Sequence, residues 1–563
     1  MFKKHQTKVI ILIFFIISIF LSAFLRQGDV YTFIVDYPFH FNRILGVAEN
    51  IKQGEIFNSI DFNTMGGLGY LNPLFYNNLF LYPFALMKVV GFSHTTIIST
   101  LLFFIYFITQ IVSFFSAKSY FKNTMDSLLF TFSFTISSYH LFDIVYRGAI
   151  GELLAIAMLP IPLFAFLNIL LKNKYNNYWL LSIGLLLVFI NHNITTLLLI
   201  ALFIILYLLN IFKNSEAKNI TITFFKSGIL FTTISLFYTI PMLLASHSQE
   251  FNVGVNSIFN LSDTTKLWQY TNVVETIIHS FINNPLSANL GIVGIFSIIV
   301  GIIRFNKLSR FSKQILIISI SIFSSMFLFM DTGMLNSTPI NIIQFSWRFY
   351  IILVPILSIL FIDILNGFKK EKIIKNLKIA TLAFYVVFIG IFKVVQLDII
   401  IPNMDVSLMS TVEYIDNNNN YTYNIGTGRE YLPSVIKPQF NDYADLIEMS
   451  HDIHSHNNST KISNVDKKYS SISFDVVTLN KDTIEVPFIY YKDFFKVTAN
   501  DKEIPFEISE NGMIQLTIDS NFKGTILVEH ENPWYIWFSY LCTFVFSSLV
   551  IYLFSKKHSS DES

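Results

Sequence analysis

Of 563 residues, 53% are hydrophobic, only 14% are charged and 60 are Phe, a balance that belongs to a polytopic membrane protein and not to a soluble domain. A formal net charge of +1 gives no basic footprint for nucleic acid. The single cysteine, Cys542, excludes an intrachain disulfide and a thiolate metal cluster.

Apolar runs long enough to cross about 30 Å of hydrocarbon fall at 9–25, 95–117, 127–145, 152–171, 178–192, 195–212, 227–246, 287–304, 314–331, 347–366, 378–397 and 533–555, which predicts twelve crossings. The first follows Lys3, Lys4 and Lys8 but leads into a large protein with no small-residue cleavage site, so it reads as a retained helix. With the N-terminus inside, twenty-one Lys and Arg lie in inner loops and tails, among them Lys118, Lys172, Arg304, Arg310, Lys370 and Lys556. The short outer loops hold seven: Arg26, Arg43, Lys52, Lys88, Arg147, Lys266 and Arg348. This asymmetry predicts both termini in the cytoplasm of a bacterial plasma membrane.

The same topology puts the polar mass outside: a first loop over 26–94, a second over 247–286, and a region over 398–532. The predicted organisation is a transmembrane domain over 1–397, an extracytoplasmic domain over 398–532, and a last helix with its tail over 533–563. No inner loop is long enough for a nucleotide-binding domain of about 100 residues, and no phosphate-binding Gly-rich loop ending in Gly-Lys-Ser/Thr is present. An ATP-driven pump is therefore not the expected class.

Short runs rich in Ile, Val, Phe, Thr and Tyr at 471–479, 483–491, 494–499, 513–519 and 524–530 predict a β-rich module, with Asn511-Gly512 as a hairpin turn. The Asn417–Asn420 run and the segment carrying His451, His454 and His456 read as loops; solvated histidines are the expectation there, with a zinc site as the alternative.

Ionisable side chains are expensive at membrane depth, about 2.5–3.5 kcal/mol each at a helix centre. On this topology Asp36, His40, Arg147, Glu152, His192, Asp331 and Arg348 all fall at the outer ends of helices or just beyond. Snorkelling to the headgroups accounts for any one of them; the shared side predicts an outward-opening cavity. Asp143 is placed to pair with Arg147 four residues on. Such a set suits transfer of a sugar from a lipid phosphate. A carboxylate, Asp36, takes the acceptor hydroxyl proton, and Arg147 or Arg348 steadies the departing phosphate. His40, Arg43, Tyr70, Glu152 and His192 are the accompanying substrate-binding candidates. Asp36, Glu152 and Asp331 would share a Mg2+ or Mn2+ only if the fold brings them within about 5 Å.

Several stretches together resemble a bacterial membrane-protein family labelled 6-pyruvoyl-tetrahydropterin synthase-related, close to YfhO-type proteins, within the GT-C glycosyltransferases. They are Asp36-Tyr37-Pro38-Phe39-His40, Gly67-Leu68-Gly69-Tyr70 with Phe75-Tyr76, Tyr146-Arg147-Gly148-Ala149-Ile150-Gly151-Glu152 with Pro160, Asn191-His192-Asn193, Gln344-Phe345-Ser346-Trp347-Arg348, and Gly428-Arg429-Glu430-Tyr431-Leu432-Pro433. At Ser346 the family more often carries Pro. The resemblance implies a GT-C fold whose first outer loop carries the catalytic carboxylate, here Asp36. It also implies a polyprenyl-phosphate sugar as donor, with an envelope glycopolymer or glycolipid as acceptor. The pterin label implies no activity, since a soluble zinc enzyme has no counterpart in this helix-rich chain. A transporter or flippase of a lipid-linked envelope precursor, or a non-catalytic scaffold for envelope assembly, are the competing readings.

Overall fold

The computed structural model describes residues 2–23, 26–27, 30–31, 36–212, 214–255, 273–330, 334–395, 425–426, 429–436, 446, 448–456 and 460–561. Asp331, the Asn417–Asn420 run and Lys266 lie outside these. Among the described residues nine helices are long and apolar enough to cross a membrane: His94–Phe121, Thr124–Arg147, Ile150–Lys172, Asn193–Ile211, Ala217–Ser248, Arg310–Phe329, Ser346–Asn366, Glu371–Ile391 and Trp534–Phe554. The protein is a polytopic helical membrane protein with a C-terminal β-sheet region. The other three expected crossings correspond to the shorter apolar helices Gln6–Ser22, Tyr175–Phe189 and Gly291–Ile303. A fourth short one, Leu79–Val90, sits within the first loop, where no crossing was expected.

The chain forms two compact units, neither contiguous in sequence. The first comprises Met1–Tyr37, His94–Thr232 and Phe259–Glu413, the second Pro38–Ser93, Thr233–Ile258 and Tyr414–Ser563.

In the first unit the helices stop and start where the sequence provides caps. Asn123 Oδ1 accepts from Met125 N at 2.8 Å at the head of Thr124–Thr135, and Ser309 Oγ accepts from Ser312 N at 3.1 Å at the head of Arg310–Ser325. Small residues allow close helix contact, as where Ser297 Oγ donates across to Leu357 O at 3.2 Å. Polar pairs tie helices together as well: Gln110 Nε2 donates to Ser18 Oγ at 2.8 Å, and Ser182 Oγ to Ser227 O at 2.9 Å. Two spans, Thr124–Arg147 and Ile150–Lys172, are 94% buried over their apolar windows and Ser346–Asn366 is 83% buried, whereas Glu371–Ile391 is 17% buried. The first three are therefore the bundle's interior, and the candidate site is built on their ends.

The second unit holds two antiparallel sheets. After a short ribbon of β1 (Arg26–Gln27) and β2 (Val30–Tyr31) in the first unit, the strands are β3 (His454–Ser455), β4 (Lys461–Lys467), β5 (Ser471–Val477), β6 (Asp482–Ile489), β7 (Phe495–Ala499), β8 (Lys502–Glu503), β9 (Phe506–Ile508), β10 (Met513–Ile518) and β11 (Lys523–His530). Their orders are β3-β6-β10-β9 and β4-β5-β11-β7-β8. Alternation puts Ile472, Phe474 and Val476 of β5 inward. The Asn511-Gly512 turn joins β9 to β10, with Ile514 opposite Ile508 and Gly512 at φ +80°, which glycine adopts freely. His454, expected in a loop, pairs with Glu485 on β6. The sheets do not build their core alone. Ile60, Phe62, Met65, Leu68 and Tyr70 of the first loop are buried in the same apolar cluster as Phe474, Val486, Phe488 and Val528, and Ile489 N donates to Leu68 O at 2.9 Å.

Candidate functional site

The span Thr124–Arg147 is not a continuous α-helix. Thr124–Thr135 ends at Ile136, Ser137 caps a short helix Ser138–Phe142, and the last turn, Asp143–Arg147, widens to a π-turn closed by Gly148 at φ +65°. Such a π-turn shifts the facing of side chains relative to an ordinary helix. Here it aims Asp143 and Arg147 at the head of the next helix, Ile150–Met158, whose first turn carries Glu152.

Arg147 is the hub. Its Nη1 donates to Asp143 Oδ1 and to Glu152 Oε2, both at 2.8 Å, and its Nη2 donates to Asp36 Oδ2 at 3.0 Å. The backbone repeats the last contact, with Asp36 N donating to Arg147 O at 2.7 Å. Glu152 gathers further partners: Tyr139 Oη donates to Oε1 at 2.5 Å, Arg348 Nε lies 3.7 Å from Oε2, and His192 Nε2 lies 3.9 Å from it. His192 caps the helix Asn193–Ile211, its Nδ1 accepting from Thr195 N at 3.3 Å. That acceptor role leaves the ring proton on Nε2, facing Glu152. Arg348 is anchored by donation from Nη1 to Ile343 O at 2.8 Å and Gln344 Oε1 at 2.7 Å.

Three carboxylates thus meet two guanidiniums. Asp143 and Glu152 are sealed, with side chains 0% and 1% exposed, while Asp36 keeps 35% of its side chain open. Asp36 is accordingly the carboxylate of this cluster that a substrate can reach. Glu152 points its charge at two guanidiniums and an imidazole, an environment that repels a divalent cation. Among the described residues no three His, Cys, Asp or Glu side chains group as a metal ion requires.

Asp36, Arg147, Glu152, His192 and Arg348 are therefore brought together in the first unit, with Asp143 as the partner its spacing predicted. Tyr139 and Gln344 complete the cluster; Tyr139 lies in an apolar run that gives no signal for it.

The remaining candidates belong to the second unit. Arg43 donates to His40 Nδ1 at 2.9 Å, to Asn78 Oδ1 at 2.9 Å and to Asn77 O at 3.0 Å, and lies over the Tyr76 ring. It is a clamp on the 76–78 turn, and burial pulls its pKa down to about 10. Tyr70 is buried, its hydroxyl donating to Ile425 O at 3.0 Å, and burial raises its pKa.

No protein-family model matches the sequence. A protein of Lactococcus lactis subsp. cremoris, described as uncharacterized, is 24% identical over 93% of this chain and 91% of its own length. Among solved structures, the cryo-EM structure of the arabinofuranosyltransferase AftD from Mycobacteria matches at TM-score 0.43 and 11% identity. That match takes in 68% of this chain but only 26% of the AftD chain.

Proposed function

We propose that the protein is an integral-membrane glycosyltransferase of GT-C type, moving a sugar from a polyprenyl-phosphate donor to an envelope polymer or glycolipid on the outer face of the membrane. The observation that carries this reading is Asp36, a part-exposed carboxylate backed by a buried charge network, with the sequence resemblance supplying the reaction class. Asp36 takes the proton from the acceptor hydroxyl as its oxygen attacks the anomeric carbon. The bond from that carbon to the phosphate oxygen breaks, and the lipid phosphate leaves with the electron pair. Arg147 is occupied by three carboxylates and so positions Asp36. Arg348, whose Nη1 is anchored on Ile343 O and Gln344 Oε1, is the group assigned to the phosphate.

The test is transfer from a synthetic polyprenyl-phosphate sugar by purified protein carrying Asp36→Asn. Loss of at least a hundredfold in rate with normal insertion is expected; turnover at the wild-type rate removes Asp36 as the base. The interrupted helix beside the site also supports a second reading, since transporters place substrates at broken helices. In reconstituted vesicles, movement of the lipid-linked sugar across the bilayer with no covalent product would favour transport.

A further inference from the structure

A cavity of about 390 Å³ lies wholly within the second unit, inside the size range of small-molecule sites. Among the described residues its lining contains no charged side chain. Besides Asn58 and Ser59, the lining combines the aromatic and aliphatic side chains of Phe57, Leu79, Tyr82, Tyr238 and Tyr540 with the amides of Asn50, Asn77 and Asn78.

Those amides are fixed in one orientation. Asn78 Oδ1 accepts from Arg43 Nη2 at 2.9 Å, Asn77 Oδ1 accepts from Leu79 N at 2.8 Å, and Asn50 Oδ1 accepts from Tyr469 Oη at 2.5 Å. With each oxygen held by a donor, the NH2 group of each is the end left over, and none of the three has a partner among the described residues. Arg43 therefore acts beyond loop closure, because it determines which end of Asn78 is available.

Apolar rings beside preset amide donors, with no charge to be neutralised, match a neutral polyhydroxyl ligand: the rings pack on C–H faces and the amides donate to hydroxyl oxygens. A phosphate or a carboxylate ligand would bury its charge with no cation in the lining, which is costly. The depth is set by the helices. Phe237 and Pro241 lie toward the end of Ala217–Ser248, and Ile536 and Tyr540 lie at the start of Trp534–Phe554. Trp534 and Trp537, 71% and 53% exposed, sit on the same first turns, and exposed tryptophans at the head of a spanning helix mark the headgroup level.

We propose that this groove binds the neutral sugar headgroup of a membrane glycolipid. As a binding site it stands apart from the Asp36 chemistry; as the place where the acceptor is held it rests on the transferase reading. Binding is measured without turnover, so failure of one leaves the other standing.

The experiment uses full-length protein in detergent and tritiated monoglucosyl diacylglycerol. Saturable binding is expected, competed by the unlabelled glycolipid but not by diacylglycerol or by methyl glucoside at the same concentration. Asn77→Asp keeps the oxygen that Leu79 N needs while replacing the donor with a negative charge, and should weaken binding at least tenfold with an unchanged thermal midpoint. Leu79→Trp, filling the groove from an exposed position, should do the same. Absence of saturable binding, equal competition by diacylglycerol or by methyl glucoside, or wild-type affinity in Asn77→Asp overturns the proposal.

Discussion

Arg147 donates to three carboxylates from a side chain that is 7% exposed, so its removal strands charges that water cannot reach. Arg147→Met should cost about 3–5 kcal/mol, as for other buried ion pairs broken on one side. Asp36→Asn should cost about 1 kcal/mol or less, because Asp36 is partly solvated. Thermal unfolding followed by fluorescence in detergent tests the order; equal losses would mean that Asp36 is as structural as Asp143. A second residue-scale consequence belongs to Asp61. It is 3% exposed, accepts from Asn63 N at 3.0 Å, and burial pushes its pKa up to about 7. Its folded value lies above the unfolded one of about 3.9, so the folded state holds the proton more tightly. This group's contribution is thus most favourable below about pH 4 and is lost as pH rises toward 7. Asp61→Asn should gain thermal stability over the wild type progressively from pH 5 to 8; a pH-independent difference would show that Asp61 does not titrate in that window.

At the scale of elements, the site depends on a break. Gly148 closes the π-turn at φ +65°, ψ 28°, a conformation that costs a residue with a Cβ about 1–2 kcal/mol. Gly148→Ala should lower stability by about 1 kcal/mol and reduce transfer by more than that loss explains, since the turn sets the reach of Arg147 to Asp36. Gly148→Asn, better tolerated in this region, should recover part of both, and an Ala variant with full activity would show that the turn is not needed. This break also marks where the sequence stops being informative. Apolar runs located the helices, because length and hydropathy are local properties, and the β-strands were legible from β-branched and aromatic runs with the Asn-Gly turn between β9 and β10. Asp143 and Arg147 were readable as a pair from their spacing of four. The meeting of Glu152 with His192 and Arg348 was not, because it depends on the packing of three helices whose rotations no spacing along the chain fixes. Nor could spacing reveal that Ile60, Phe62 and Leu68 of the first loop complete the core of a β region four hundred residues away, since burial there is a property of the partner surface.

At the scale of the whole molecule, the charge asymmetry predicts which side each region faces, and that prediction carries the proposed chemistry with it. If the β region is extracytoplasmic, as twenty-one basic residues in the inner loops and tails against seven in the short outer loops imply, then the donor must be membrane-carried, because nucleotide sugars are made inside. The protein offers a clean way to test this, since Cys542 is its one cysteine and is buried in the last helix. In a Cys542→Ser background, single cysteines at the exposed positions Glu510, in the turn before β10, and Lys372, at the head of Glu371–Val395, report the two sides. A membrane-impermeant maleimide applied to intact cells should label Glu510→Cys and leave Lys372→Cys unlabelled until the membrane is opened. The reverse pattern would turn the whole topology over and place Asp36 on the nucleotide side, where a polyprenyl-phosphate donor is no longer required. Labelling of both positions in intact cells would mean an even number of crossings between Lys372 and Glu510, and the helix to re-examine would then be Glu371–Ile391, which supplies the one crossing expected between them and is only 17% buried.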